Sequence, residues 1–348
     1  MRKAELYAMA GAEALAMLAA APVVHLASVG ERGQPVLRTL HAVVVDGAVC
    51  FHGAPVGEKA EAVGQRAVIA AEEVVAAIPS HVFDPERACP ATTYYRSVQA
   101  HGRLEAVESP ELKARVLQAL MEKYQPEGGH APIDADDPRY RGAVRGIAVV
   151  RLAIEQLDGK AKLGQNRNGE DLLKVLRFLW RRGEAGDPRA IELVRAANPK
   201  APAPEFLSGG PPGARLCCAL DLERDLAQAV ELVAGEYWNE DVSPEAIARA
   251  HRASPAWVGA HDEGGRLIAT GRAFSDRERV AYLMEIAVAA RWRGRGLGKA
   301  IVRLLLDHPQ VRDARRVMLR TRDAQGFYRG FGFVAGRELP GTEMTRVR

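Results

Sequence analysis

Between Asn198 and Gly213 the chain reads N-P-K-A-P-A-P-E-F-L-S-G-G-P-P-G. No packed helix or strand interior tolerates prolines and glycines at that density, because proline removes a backbone donor and glycine loses the most freedom on ordering. The run is expected to be extended and exposed. It divides 348 residues into two stretches, each long enough for a core of its own at ~100–200 residues per domain. Residues 1–198 are read as a first domain, 199–213 as a linker and 214–348 as a second domain.

In the second stretch an apolar segment, Tyr282-Leu283-Met284-Glu285-Ile286-Ala287-Val288, reads as a buried strand. It runs into Arg293-Gly294-Arg295-Gly296-Leu297-Gly298-Lys299, after which Ala300 to Leu306 has helical spacing. A glycine-rich turn opening a helix leaves backbone N–H groups unpaired, with no side chains in the way. Helix dipole and neighbouring cations make this a ready pyrophosphate site. Alone, the same turn is equally consistent with packing. A second strand-like run, Val317 to Thr321, leads into Asp323-Ala324-Gln325-Gly326-Phe327-Tyr328-Arg329-Gly330-Phe331.

The pairing of R-x-x-G-x-G, a strand, and a helix carrying tyrosine just before Gly-Phe resembles the GNAT acetyltransferase superfamily over Arg215 to Arg348. The resemblance implies an α/β fold, acetyl-CoA as cosubstrate and a small-molecule amine as acceptor. Arg293, Gly294, Arg295, Gly296, Leu297, Gly298 and Lys299 would hold the pyrophosphate. The N–H groups of Ile286 and Val288 would hold the pantetheine arm, and Tyr328 would protonate the coenzyme A sulfur. Glu285 is either the general base or a strand glutamate facing solvent, and Tyr328 either the acid or a half-buried helical tyrosine. The segment Ala227 to Arg252, with Glu231, Glu236, Glu240 and Asp241, is where acceptor specificity would lie.

The first stretch opens with a helix over Ala4 to Ala20 and continues as short strands, including a hairpin at Asp46-Gly47. Further strands are expected at 67–70, 97–106 and 146–154, and helices at 110–124 and 169–182. Many short antiparallel strands with few helices point to a barrel. Three polar clusters stand out: Phe51-His52-Gly53 through Gly57-Glu58-Lys59, Cys89 through Gly102, and Gly159 through Arg167. With Met121 to His130 they resemble the flavin-binding split barrels related to pyridoxamine 5'-phosphate oxidase, in the branch that includes nitroimidazole-resistance proteins. That resemblance implies an antiparallel split β-barrel with non-covalent FMN held across a homodimer interface. Arg38 and Lys59 would contact the phosphate, while Thr39, His52 and Gln99 would lie near the ring or ribityl chain. Gln165, Asn166 and Arg167 would close the site from the same or the partner subunit.

A net charge of +4 gives no case for nucleic-acid or membrane binding. Cys50, Cys89, Cys217 and Cys218 lack paired C-x-x-C spacing and suit a reducing cytoplasm. His25, His101 and His130 lack metal-like spacing, so no metal is assigned. The chain is therefore expected to be an antiparallel split barrel followed by an α/β GNAT fold. Its expected activity is N-acetyl transfer with an attached FMN module. The alternatives are a flavin-dependent reductase or a flavin-sensing regulator whose second half only binds acyl-CoA.

Overall fold

The computed structural model describes residues 4–57 and 61–336. The chain forms two compact units, one of Met1–Leu172 with Ala196–Pro199 and one of Leu173–Arg195 with Lys200–Arg348.

The first unit is an antiparallel half-barrel of seven strands in the order β2-β1-β5-β6-β7-β4-β3. These are β1 (Val24–Val29), β2 (Pro35–Leu40), β3 (Val43–Val45), β4 (Ala48–Gly53), β5 (Arg66–Ile78), β6 (Thr92–Ala106) and β7 (Ala148–Lys162). Asp46 and Gly47 both take positive φ, 50° and 74°, the left-handed pair that a two-residue hairpin needs. The three long strands outrun their expected spans, and register shifts at Val74/Ala76 and His101/Gly102 let them bend without ending. The expected first helix is interrupted over residues 8–10, leaving a short turn at Ala4–Tyr7 and helix α1 over Gly11–Ala20. Ala14 and Leu18 of α1 pack into the interior with Leu26, Ile69, Val98, Leu104 and Leu152. Helix α2 (Pro110–Tyr124), capped by Ser109 accepting from the Leu112 N–H, packs Val116 and Leu120 against Val43, Cys50 and Val149.

Helices α3 (Gly169–Arg182) and α4 (Asp187–Ala197) contribute nearly all of their length to the second unit. The compact units therefore do not divide at residue 198. The reason is packing. Trp180 stacks on Phe206 with ring centroids 4.3 Å apart and donates to Asp307 at 2.8 Å, while Arg312 donates to the Trp180 carbonyl at 2.9 Å. The proline run is likewise not simply extended and exposed. Glu205–Leu207 forms a 3-10 turn in which Leu207 is buried. Prolines forbid a longer helix there, but Phe206 and Leu207 are apolar enough to find a core.

The second unit holds a five-stranded mixed sheet in the order β12-β11-β10-β9-β8. Its strands are β8 (Arg215–Cys217), β9 (Ala256–His261), β10 (Leu267–Ser275), β11 (Val280–Val288) and β12 (Arg316–Met318), with only β11 and β12 parallel. Its further helices are α5 (Leu222–Ala234), α6 (Pro244–Arg252), α7 (Leu297–Asp307) and α8 (Gln325–Arg329). Among the described residues, no helix is long and apolar enough to cross a membrane.

Candidate functional site

Strand β11 pairs with β12 only from Val280 to Tyr282. Beyond Tyr282 its outer edge is open, while the inner edge stays on β10 as far as Val288. The Ala289 N–H donates to Ile268 at 2.9 Å. Alternation along a strand therefore turns the N–H groups of Val288 and Ile286 to the open side. The two residues expected to hold an extended ligand thus lie along one unpaired edge.

A 3-10 turn at Ala290–Trp292 then feeds the glycine turn. Gly294 and Gly296 take φ of 76° and 86°, left-handed values that a β-carbon disfavours. With the chain so turned, no described backbone carbonyl accepts from the N–H groups of Gly294 to Lys299; the first intrahelical bond is Ala300 to Gly296. Leu297 is buried and contributes only its N–H, while a β-carbon on Gly298 would touch Phe327 and Val288. The three expected cations are held differently from one another. Arg293 is already engaged, donating to the Val288 carbonyl at 2.9 Å and to Glu236 at 2.8 Å. Arg295 lies over the Trp292 ring, and Lys299 is exposed.

Tyr328 is half-buried on α8, edge-on to Phe327 and Phe333. Burial first, then Tyr237 nearby, raises its phenol above the usual tyrosine value. It therefore keeps its proton at neutral pH, as a proton donor must. Tyr237 accepts from the Arg322 N–H at 2.9 Å and carries the Arg322 guanidinium on its ring.

Glu285 does not face solvent. It sits in a β-bulge opposite Gly271, with φ of 51°, an uncommon backbone state for a residue with a side chain. Its Oε2 accepts from Arg272 Nε at 2.6 Å and lies 3.3 Å from His251 Nε2. The Glu285 and Arg272 side chains are 7% and 4% exposed. Arg272 also donates to Ser254 at 3.2 Å. Sequence reasoning missed Arg272, His251 and Ser254. The available signal was a charge within the apolar run Leu267 to Phe274, where only a paired ion belongs.

In the first unit, register lines up Thr39, His25, Ala70, Gln99 and Asp158 across five strands. Thr39 Oγ1 is 3.3 Å from His25 Nδ1, His25 is 3.3 Å from Glu72, and Asp158 accepts from Gln156 at 2.8 Å. Thr39 and Gln99 thus share one polar face. Arg38, opposite Leu26, belongs to the other face, and its guanidinium bonds the Leu37 carbonyl at 2.8 Å. His52 is exposed near the far end of β7, opposite Val149. Gln165 closes its own turn, donating to Ala161 and accepting from Leu163, each at 2.7 Å. Arg167 lies over the Phe83 ring at 3.9 Å, and Asn166 is exposed. Lys59 lies outside the described residues.

The second unit is thus an α/β GNAT-type domain, with a splayed strand feeding a glycine turn at a helix N-terminus, and the first is a split barrel. Residues 222–333 match the acetyltransferase (GNAT) family, and residues 11–161 match the pyridoxamine 5'-phosphate oxidase family. One curated relative is glucosamine 6-phosphate N-acetyltransferase 1 of Oryza sativa subsp. japonica, 38% identical over 77 residues. That match covers 20% of this chain and 47% of the relative, so the chain spans about half the relative's length. Among solved structures, the chain is similar to the flavocytochrome Anf3 from Azotobacter vinelandii, with 20% identity and a TM-score of 0.40 over 47% of this chain and 72% of that one. It is also similar to the FAD and heme binding protein from Mycobacterium smegmatis, with 18% identity and a TM-score of 0.39 over 48% and 78%.

Proposed function

We propose that the second unit transfers acetyl from acetyl-CoA to a small amine, and that the first is an FMN-binding module. One observation carries the transfer reading. An open strand edge ends at a left-handed glycine turn whose successive N–H groups have no described backbone partner. The pyrophosphate would sit on Gly294 to Lys299, with Lys299 and Arg295 neutralising it and Arg293 exchanging Glu236 for phosphate. Ile286 and Val288 would bind the pantetheine arm and polarise the thioester oxygen. The amine nitrogen attacks the carbonyl carbon, the C–S bond breaks, and Tyr328 gives its proton to the leaving sulfur. Addition of acetyl-CoA should raise the unfolding temperature of the second unit and desulfo-coenzyme analogues lacking the pyrophosphate should not. Glucosamine 6-phosphate is the first acceptor to try, and an amine screen follows. Absence of any acetyl-CoA effect would remove this reading.

For the first unit, FMN supplies redox chemistry when bound. Because Thr39 and Gln99 lie on one face and Arg38 on the other, we infer that a second copy completes the site. Val29 and Leu37, 52% and 63% exposed on neighbouring strands, are apolar surface that a homodimer would cover. Light scattering should give twice the chain mass, and FMN should follow the dimer. A flavin-dependent reductase is the second reading, favoured by the same polar row. A yellow protein that oxidises a nicotinamide donor would support it. A cytoplasmic setting suits the four free thiols.

A further inference from the structure

His251 is fully buried on α6, and its Nδ1 lies 2.9 Å from the Ile247 carbonyl. A carbonyl only accepts, so Nδ1 carries the hydrogen. In a neutral ring, Nε2 is then a lone pair. It has no hydrogen-bond partner, yet it faces Glu285 Oε2 at 3.3 Å. Two acceptors stand 3.3 Å apart in a dry site, and a proton on Nε2 would turn that repulsion into an ion pair.

The surroundings hold this proton off at rest. β10 presents Arg272, whose guanidinium disfavours a second positive charge, and β11 presents Glu285, which favours it. β9 places the Trp257 ring edge-on at 5.1 Å, and α5 packs Val230 and Val233 against Ile247. Burial is the largest influence and holds the imidazole below its ordinary basicity, with Ile247 and Glu285 opposing and Arg272 adding. Oε2 of Glu285 already accepts from Arg272. Behind it stands one empty lone pair.

We propose that His251 is a positioning residue of the transfer reaction, taking up through Glu285 the proton that the acceptor amine must lose. This rests on the acetyl-transfer reading above. The stoichiometry is closed: R-NH3+ and acetyl-CoA give R-NH-acetyl, free thiol and one proton. The N–C bond forms and the C–S bond breaks, with one amine proton balancing the proton Tyr328 gives to sulfur. The other passes by way of the Glu285 carboxylate to His251 Nε2 and is returned to water between turnovers.

Imidazole 15N resonances of the full chain test the pair without any acceptor. We expect the Nδ1–H tautomer at high pH and protonation of Nε2 as the pH falls, displaced to lower pH by Glu285→Gln. An Nε2–H tautomer, or a ring that never titrates, overturns the proposal. The pH profile of turnover tests the role. His251→Gln, checked for folding by its acetyl-CoA thermal shift, should lose about 10-fold or more in kcat/KM and lose the acid limb of the profile. A wild-type profile in that variant overturns the role. A chain in which His251 titrates as expected, but which acetylates no amine, overturns the transfer reading and the role with it, leaving only the pair.

Discussion

Replacing Glu285 with glutamine separates a base from a buried counter-ion. The carboxylate is 7% exposed and the Arg272 guanidinium 4%, with Nε and Oε2 2.6 Å apart. Removing one partner of such a pair strands the other charge in a poorly solvated site, at a cost of about 3–5 kcal/mol. Domains have only ~5–15 kcal/mol in total. For a unit of this size, each kcal/mol moves Tm by roughly 3–4 °C, so Glu285→Gln should lower it by about 10–20 °C.

The assay is specific by an accident of composition. All four tryptophans, Trp180, Trp238, Trp257 and Trp292, belong to the second unit, so tryptophan fluorescence reports that unit alone. The double variant Arg272→Met with Glu285→Leu removes both charges and should recover stability to within about 2 kcal/mol of wild type. If Glu285→Gln melts within about 2 °C of wild type, Glu285 is not a buried counter-ion. Reduced activity in that variant could then be read directly as loss of a base.

Four further outcomes are expected. Arg38→Ala with Lys59→Ala should strip FMN from a folded protein, since each charge-assisted bond to phosphate is worth about 1.5–3 kcal/mol; stoichiometric flavin after purification would refute the assignment. Tyr328→Phe should cut turnover by about 10²–10⁴-fold and leave acetyl-CoA affinity nearly unchanged. Gly296→Val, which forces a β-branched residue to φ near 86°, should abolish acetyl-CoA binding; equal effects of the two variants on affinity would refute the division of labour. His308 is buried and held neutral, its pKa lowered to about 4 chiefly by burial. The unfolded chain binds this proton below about pH 6.5 and the folded chain does not, so stability is present above 6.5 and falls as pH drops towards 4, by about 3 kcal/mol. His308→Asn keeps an acceptor for the Gln310 N–H, which the ring accepts at 3.1 Å, and should flatten that slope in the same fluorescence melts.

The parts of this chain that were legible in sequence are those where local backbone geometry chooses the residue. Asp46-Gly47 announced its hairpin because only such pairs reach left-handed φ twice in succession. The turn at Gly294 and Gly296 announced itself for the same reason. Strand lengths were less legible, since the bulges at Val74/Ala76 and His101/Gly102 leave no local signature. Helix α3 was visible as a helix, but not the unit it joins, because that depends on Trp180 finding Phe206 and Asp307. Facing was not legible either: neighbouring strand residues face opposite ways, so Arg38 and Thr39 part company at once.

The cluster around Glu285 was illegible for a deeper reason: its geometry is made by packing across the sheet. A β-carbon on Gly271 would lie 2.9 Å from Ile301, 3.0 Å from Leu305 and 3.3 Å from Ile286. Helix α7 therefore rests directly on the β10 backbone where β11 bulges. The bulge puts Glu285 on the side of α6, where His251 and Arg272 await it, and keeps Ile301 and Leu305 beneath the strand. The same helix begins at Gly296, so its seat on Gly271 also fixes where its unpaired N–H groups lie along the open edge of β11. One contact thus sets the register between the site that would hold pyrophosphate and the site that would receive a proton. Gly271→Ala should disturb both at once, unlike Gly296→Val or His251→Gln. It should cost about 1–3 kcal/mol of overpacking, reduce acetyl-CoA affinity and shift the His251 titration in the same protein. An alanine there that changes stability but neither of the other two would show that the two sites are set independently.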